Sequence, residues 1–312
     1  MAEKTPVGRF APTPSGRMHL GNVFAALIAW LSVRSRGGSI ILRMEDLDRQ
    51  RTNAEKAQVL RQDLTWLGLD WDAEMPQQSQ RSGVYDRYFE KLMDEKLLYP
   101  CYCTRSQLHS IDAPHLSDGT YVYPGTCRDL TQAQRLAFSR APAWRVRVPD
   151  RRWELYDLLQ GKYEENLLHD CGDFVVRRAD GAYVYQLAVT VDDGEAGVTE
   201  VVRGLDLLSS APRQMYLQEL FGFEKPAYGH VPLLLAPDGR RLSKRDQDLD
   251  VGVLQQQLSP EQILGALAFA AGLLERQEKV SASELATEFS WEKLRRDSVV
   301  VDTACFFGAK RV

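Results

Sequence analysis

A histidine, a glycine and an asparagine stand close together near the start of this 312-residue chain, at His19, Gly21 and Asn22. They follow a loop that contains two prolines and a glycine, 12–16, and precede an apolar segment of helical character. Free backbone N–H groups and the dipole at the start of such a helix attract anions. Gly21 has no side chain where a phosphate or a flat ring would approach closely. The pattern therefore indicates a phosphate-binding turn, although ordinary strand-to-helix turns also contain these residues.

A second polar group, Ser243 and Lys244, lies far along the chain after a Pro-Asp-Gly turn. A lysine ammonium on a loop suits a polyphosphate whose negative charge grows in a transition state. Taken alone, a Leu-Ser-Lys loop is more typical of a solvated basic turn.

Together, the two motifs resemble the two signatures of the class I aminoacyl-tRNA synthetases. Four more segments narrow the resemblance to the glutamyl-tRNA synthetases and occur in that family's order: 9–16, 43–48, 185–193 and 202–214. The similarity spans about residues 7 to 250. It implies an α/β fold: a Rossmann-type parallel-sheet class I synthetase core, an inserted zinc-binding subdomain and a helical C-terminal piece.

The resemblance also implies that L-glutamate is activated with ATP, accompanied by Mg²⁺ for which the sequence offers no identifiable protein ligand. The implied glutamate-binding residues are Arg9, Phe10, Ala11, Pro12, Thr13, Glu45, Tyr185 and Arg203. The implied ATP-binding residues are His19, Gly21, Asn22, Ser243 and Lys244, and the catalytic ones among them are His19, Asn22 and Lys244. The residue types agree, because guanidinium groups bind carboxylates through paired hydrogen bonds and a carboxylate can hold an ammonium.

Three cysteines fall within 27 residues, at Cys101, Cys103 and Cys127. Such spacing favours one structural Zn²⁺ per chain, which takes four ligands in a tetrahedron. By ligand chemistry the fourth would be His109 or His115, since imidazole is a common zinc ligand. The alternative is three buried free thiols, because cysteine is often simply buried.

The resemblance points to a different fourth ligand. Short members of the family carry Cys-x-Cys followed by Tyr-x-x-x-Cys, and residues 123–127 match that second part. This implies Tyr123 as the fourth metal ligand, with His115 as its main rival. We interpret the two other cysteines, Cys171 and Cys305, as core residues.

The RNA partner also follows from the resemblance. Too few residues follow Arg245 to form the anticodon-binding region of a full glutamyl-tRNA synthetase. The short members that lack this region transfer glutamate to the queuosine base at the wobble position of tRNA(Asp), which implies that substrate here. The alternatives are a truncated glutamyl-tRNA synthetase that charges a tRNA 3′ end, and a non-catalytic tRNA-binding paralogue. The non-catalytic paralogue is disfavoured because the residues of both motifs are intact: His19, Gly21, Asn22 and Lys244.

Local patterns predict the elements that position these residues. A strand at 7–11, a helix at 22–31 and a strand at 39–44 form a βαβ unit with a parallel pair. Arg43, at the end of this unit, is expected in a surface ion pair. A second strand-rich part has strands at 187–191 and 231–236 around a helix at 210–221. The last 60 residues are expected to be helical.

These elements suggest four regions. We expect the first half of the catalytic core at 1–98, and an inserted zinc-binding, tRNA-contacting subdomain at 99–170. The second half of the core would follow at 171–236, and the ATP loop and helical C-terminal region at 237–312. Seven arginines between residues 128 and 152 form either an RNA backbone face or a solvated surface. His169 and His230 are expected to be packing residues.

The amino-acid composition limits the classes of protein to which this chain can belong. Hydrophobic residues make up 44% and charged residues 26% of the chain, values typical of a folded globular protein. The net charge of −4 argues against a protein held on nucleic acid by bulk charge, but it leaves room for a local basic face. No apolar run is long enough for a membrane span, and the N-terminus lacks a signal sequence. We therefore expect a cytoplasmic monomer that does not contact the membrane.

Overall fold

The computed structural model describes residues 5–109, 122–240, 242 and 250–301. Strands β1 (Val7–Phe10) and β2 (Ser39–Leu42) pair in parallel, and helix α1 (Leu20–Arg34) connects them. The predicted βαβ unit is thus confirmed. Helix α1 is buried on most sides, which explains why its sequence is almost uniformly apolar.

The next segment adds two helices and two short strands. Helix α2 (Ala54–Trp66) leads to strand β3 (Ala73–Glu74), which pairs in parallel with β2. Helix α3 (Ser82–Asp94) follows, and strand β4 (Leu98–Cys101) ends the segment.

Between the two parallel parts of the chain lies an antiparallel region. It contains the short helices α4 (Arg105–His109) and α5 (Gln132–Leu136). Strand β4 pairs with β5 (Ala143–Val146), and a hairpin follows, formed by β6 (Arg152–Asp157) and β7 (Gly161–Asn166). After a π-helical turn, β8 (Val175–Arg177) joins the far edge of β5. An antiparallel sheet here agrees with an insertion into the core, whereas the domain limits stay a prediction.

The second parallel part contains the main error of the sequence interpretation. Residues 185–195 form helix α6 (Tyr185–Glu195) instead of the strand predicted at 187–191. The helix packs against α3 and α7 (Ser210–Phe221), and residues 187–193 are all buried. A short apolar run with no polar face cannot be assigned to helix or strand by its periodicity.

Strands β9 (Glu200–Gly204) and β10 (Ala227–Val231) pair in parallel on either side of α7, whose predicted bounds are confirmed. The backbone N–H of Thr199 donates to the carbonyl of Val7 at 2.9 Å, which sets β9 beside β1. The buried strand predicted at 231–236 is shifted: β10 ends at Val231, and only Leu234–Leu235 form a further strand, β11.

The C-terminal part is mostly helical. Helices α8 (Val251–Leu254), α9 (Pro260–Ala271) and α10 (Ala282–Thr287) precede strand β12 (Val299–Val300), which pairs in parallel with β11. Ser259 and Gln262 form the predicted capping box at the start of α9. One buried cluster contains Leu27 of α1, Leu60 of α2 and Leu264 of α9, so these helices share a core with the first sheet. Across the described ranges, no helix has the length and apolar character required to span a membrane.

A close backbone contact on α9 predicts a sharp difference between two glycine substitutions. A Cβ on Gly265 would lie 1.7 Å from the carbonyl oxygen of Glu278, whereas a Cβ on Gly83 of α3 would meet no atom within 4 Å. Gly265→Ala should therefore lower the free energy of unfolding by about 2 kcal/mol or more, since backbone must move. Gly83→Ala should raise it by up to about 1 kcal/mol. Urea denaturation measures both, and equal effects would contradict the packing described here.

Candidate active site

A cavity of about 540 Å³ opens at the carboxyl ends of β1 and β9, where open α/β sheets bind ligands. It is lined by every described residue that the sequence predicted for glutamate and ATP. These are Arg9, Phe10, Ala11, Pro12, Thr13, His19, Gly21, Asn22, Glu45, Tyr185 and Arg203. Ser243 and Lys244 lie outside the described residues.

The start of α1 forms one wall of this cavity. His19 is the N-cap residue, and its Nδ1 accepts a hydrogen bond from the backbone N–H of Gly21 at 3.1 Å. A Cβ on Gly21 would approach the His19 ring to 3.0 Å, so the glycine makes room for this imidazole. The first turn of α1 contains no acidic side chain. No carboxylate of that turn therefore cancels the positive partial charge at the start of the helix, and this charge can attract an anion.

Arg9 projects from β1 into the buried side of the cavity. Its Nη1 donates to the carbonyl of Val202 at 2.9 Å, and its Nε lies 3.7 Å from Oδ2 of Asp193. Burial lowers the pKa of Arg9, although a guanidinium stays charged at any ordinary pH. Nε has no hydrogen-bond partner among the described residues.

Arg203 of β9 is held from two sides. Its Nε donates to Nε2 of His230 at 3.0 Å, and its Nη1 donates to Oε1 of Gln214 at 2.8 Å and lies 3.4 Å from Oη of Tyr185. Nη2 is buried and has no hydrogen-bond partner in the described ranges. Nη2 can therefore donate a hydrogen bond to a ligand oxygen.

Two residues of this arrangement were not predicted as site residues. His230 was expected to be a packing residue, and it is indeed fully buried, but it contacts Arg203 directly. Gln214 belongs to a segment that resembled the synthetases but was given no role. The available signal was a polar residue within an apolar strand or helix, since buried polar groups require partners.

Arg43 is completely buried, so the expected surface ion pair was wrong. Its guanidinium donates to Oδ1 of Asp193 at 2.5 Å and to Oε1 of Glu45 at 3.0 Å, and its Nε lies 3.6 Å from Oδ2 of Asp192. Burial raises the pKa of Glu45, and the attraction of Arg43 opposes that shift. Glu45 thus lines the cavity while one of its carboxyl oxygens is bound to Arg43.

Asp192 extends this buried network towards α3. It accepts hydrogen bonds from Nε2 of Gln78 and Nε of Arg81, each at 2.8 Å, and from Oη of Tyr85 at 3.0 Å. Burial, followed by the neighbouring Asp192, raises the pKa of Tyr85, which stays a neutral donor. Helices α3 and α6 are therefore joined by charged and polar contacts as well as by apolar packing.

The three predicted cysteines and Tyr123 come together at the end of β4. Sγ of Cys103 lies 3.6 Å from Sγ of Cys127, and Oη of Tyr123 lies 3.5 Å from Sγ of Cys101 and 3.9 Å from Sγ of Cys103. A zinc ion bound to sulfur at about 2.3 Å in a tetrahedron places its ligands about 3.8 Å apart. These three separations are close to that value, and the three sulfur atoms all lie within 4.8 Å of one another. His115 and the side chain of His109 lie outside the part of the chain that the structure describes.

Comparisons with known proteins identify the family of this chain. Residues 7–304 match the family model of the class I tRNA synthetases (E and Q), catalytic domain. The chain belongs to this family. It is 46% identical to the glutamyl-Q tRNA(Asp) synthetase of Symbiobacterium thermophilum over 94% of each chain, and 46% identical to that of Nitratidesulfovibrio vulgaris over 86% of each. A crystal structure of an Elizabethkingia meningosepticum glutamate tRNA ligase in complex with its amino acid is similar, with a TM-score of 0.80 and 28% identity. That match covers 97% of this chain and 68% of the ligase.

In this class I synthetase the arginine-rich stretch is mostly engaged within the protein. Arg145 stacks 3.7 Å from the ring centre of Tyr123, and Arg147 stacks on Tyr99. Three others form ion pairs: Arg128 with Asp173, Arg151 with Glu219 and Arg152 with Glu164. The stretch is therefore not one free basic face. His169 is exposed and pairs with Asp150, so its expected role in packing was wrong.

The buried position of Arg43 predicts a large loss of stability in Arg43→Gln. The substitution leaves carboxylates buried without their partner, so the free energy of unfolding should fall by about 3–5 kcal/mol at neutral pH. Without Arg43 the pKa of Glu45, already raised by burial, should rise further. The folded variant then binds a proton that the unfolded chain releases, so its stability should recover as the pH falls towards 5.

Arg152→Gln provides the matched control, because Arg152 forms an exposed ion pair with Glu164. In this variant the free energy of unfolding should fall by less than about 1 kcal/mol, and the decrease should be nearly independent of pH. Urea denaturation at pH 7 and pH 5 compares the two variants. Equal losses would contradict a buried, charge-balancing role for Arg43.

Proposed function

We propose that this synthetase activates L-glutamate with ATP and transfers the glutamyl group to the queuosine base at the wobble position of tRNA(Asp). The observation that carries the proposal is the cavity in which Arg9, Arg203, Tyr185 and Glu45 converge. The relatives of the same length, at 46% identity, are named for this reaction. A glutamate tRNA ligase shares the fold over nearly the whole chain.

The unmet hydrogen bonds of the cavity suit an acidic amino acid. Nε of Arg9 and Nη2 of Arg203 are buried, and neither donates to another described residue. A buried donor without an acceptor costs about 1–3 kcal/mol. Carboxylate oxygens of glutamate would supply the acceptors, and Glu45 would hold the ammonium group. In a buried site these charge-assisted hydrogen bonds are strong and selective.

The start of α1 suits the nucleotide. We assign the ATP phosphates to the turn of His19, Gly21 and Asn22, and we propose Ser243 and Lys244 as further ATP ligands. A carboxylate oxygen of glutamate attacks the α-phosphate, and pyrophosphate leaves. The protein contributes positioning and charge stabilisation, without a covalent intermediate on a side chain. A hydroxyl of the queuosine base then attacks the carbonyl of the adenylate and releases AMP. Mg²⁺ would accompany ATP.

We also assign a structural Zn²⁺ to Cys101, Cys103, Tyr123 and Cys127. The support is that three of their donor-atom pairs are 3.5 to 3.9 Å apart and that the three sulfur atoms lie within 4.8 Å of one another. The three thiols are the one group of three or more possible cysteine, histidine or carboxylate ligands that the described residues bring together. A bound ion would tie the end of β4 to the segment at 123–127 and add its binding free energy to folding.

Zinc analysis of protein purified without added metal should give about one Zn²⁺ per chain, as a closed structural site binds one ion. Cys101→Ser should lose the metal and lower the melting temperature. Cys171→Ser is the control, because Cys171 is buried but lies outside the cluster. If Tyr123→Phe retains the zinc in full while His115→Ala loses it, the assignment of Tyr123 is wrong.

An RNA assay separates the two possible acceptors. An isolated anticodon stem-loop that carries queuosine should be labelled by radioactive glutamate in the presence of ATP and this enzyme. The same hairpin with guanine in place of queuosine should remain unlabelled. Charging of intact tRNA(Glu), with no label on the queuosine hairpin, would overturn the proposal in favour of 3′-end aminoacylation.

A further inference from the structure

His230 of β10 lies between Arg203 and Asp157 and is fully buried. Nε of Arg203 is 3.0 Å from its Nε2, and Oδ2 of Asp157 is 2.5 Å from its Nδ1. Because the guanidinium Nε can only donate, Nε2 of His230 must accept. The ring proton therefore lies on Nδ1 and is donated to Asp157. The geometry fixes one neutral tautomer of the imidazole.

Asp157 is itself rigidly held at the end of β6. Its Oδ1 accepts from the backbone N–H groups of Leu159 at 3.0 Å, Gln160 at 2.9 Å and His230 at 3.1 Å. Burial opposes ionisation of this carboxyl, but the hydrogen bonds from His230 and the backbone hold its pKa below the usual value. The turn of the β6–β7 hairpin is thereby docked on β10, where the N–H of Leu158 also donates to the carbonyl of Tyr228.

Neither Asp157 nor His230 lines the cavity, yet both act on a residue that does. Hydrogen bonds hold the Arg203 guanidinium at two nitrogens, Nε to His230 and Nη1 to Gln214 and Tyr185. The third nitrogen, Nη2, is then presented without a partner among the described residues. Loss of the His230 contact would leave the guanidinium held at one nitrogen only.

We propose that Asp157 and His230 are positioning residues that orient Arg203 for glutamate, so that a hairpin of the antiparallel region sets the enzyme's affinity for its amino acid. The inference rests on the proposed function, since it takes Arg203 as a glutamate ligand. It predicts an effect on glutamate and none on ATP. A purely structural histidine would instead reduce the amount of folded enzyme and leave both KM values unchanged.

The test is glutamate-dependent pyrophosphate–ATP exchange by the full chain. His230→Phe keeps a ring of similar size but removes both hydrogen bonds. The KM for glutamate should rise about 10-fold or more, as expected for the loss of a hydrogen bond to a charged group. The KM for ATP should stay within about 2-fold. His230→Gln retains an acceptor near the position of Nε2 and should restore much of the affinity.

Two further variants complete the test. Asp157→Asn removes the charge that fixes the tautomer while leaving an acceptor for Nδ1, so a smaller rise in the KM for glutamate is expected. His169→Gln is the control, because His169 is an exposed histidine of the same region. Calorimetric titration of glutamate gives the same affinity without catalysis. An unchanged glutamate affinity in His230→Phe, or in Asp157→Asn should the former not fold, would overturn the inference. Absence of glutamate binding by the unmodified enzyme would instead overturn the proposed function.

Discussion

The buried guanidinium of Arg43 joins the first sheet to α6. It is wholly buried and neutralised by three carboxylates, from Glu45 beyond β2 and from Asp192 and Asp193 on α6. Removing one partner of such a cluster leaves an uncompensated charge in a low-dielectric interior, which costs several kcal/mol. The cluster therefore forms only when α6 lies in one register against the first sheet. That register places Tyr185, the first residue of α6, in the cavity beside Arg203.

The same principle operates at the ligand-facing arginines. Long side chains lose rotamer freedom when they bind a ligand, and this loss weakens binding. Here most of this rotamer freedom is already lost when the protein folds, before a ligand binds. Val202 accepts a hydrogen bond from Arg9, while Gln214 and His230 hold Arg203. Each guanidinium retains one buried nitrogen without a partner in the described ranges. The site is thus preorganised, and the remaining donors define where acceptor oxygens must lie.

Sequence reasoning succeeded where the signal is local. The first βαβ unit, the bounds of α7 and the capping box of α9 depend on residues a few positions apart, and the structure confirms them. The cysteine spacing likewise predicted a cluster, whereas Tyr123 came only from the resemblance, because a phenol is not a usual zinc ligand. The burial of Arg43 was missed because its partner Asp193 lies 150 residues away. The contact between His230 and Asp157, which are 73 residues apart, was missed for the same reason.

These long-range pairs show how the antiparallel region is attached to the core. One attachment is Asp157, whose carboxylate binds His230 on β10. Within the antiparallel region, Asp173 is 1% exposed and accepts from Tyr99, Arg128 and the N–H of Val148. Its backbone carbonyl also accepts from Arg145, the arginine that stacks on Tyr123 beside the cysteines. Both residues are buried carboxylates, and the oxygens of Asp157 accept hydrogen bonds from both sides of the junction between the hairpin and β10. Such a junction tolerates little relative movement, because any slip would leave a buried charge unpaired. The Arg203 wall of the cavity is therefore fixed to the β6–β7 hairpin through His230 and Asp157, although these residues lie in different parts of the sequence.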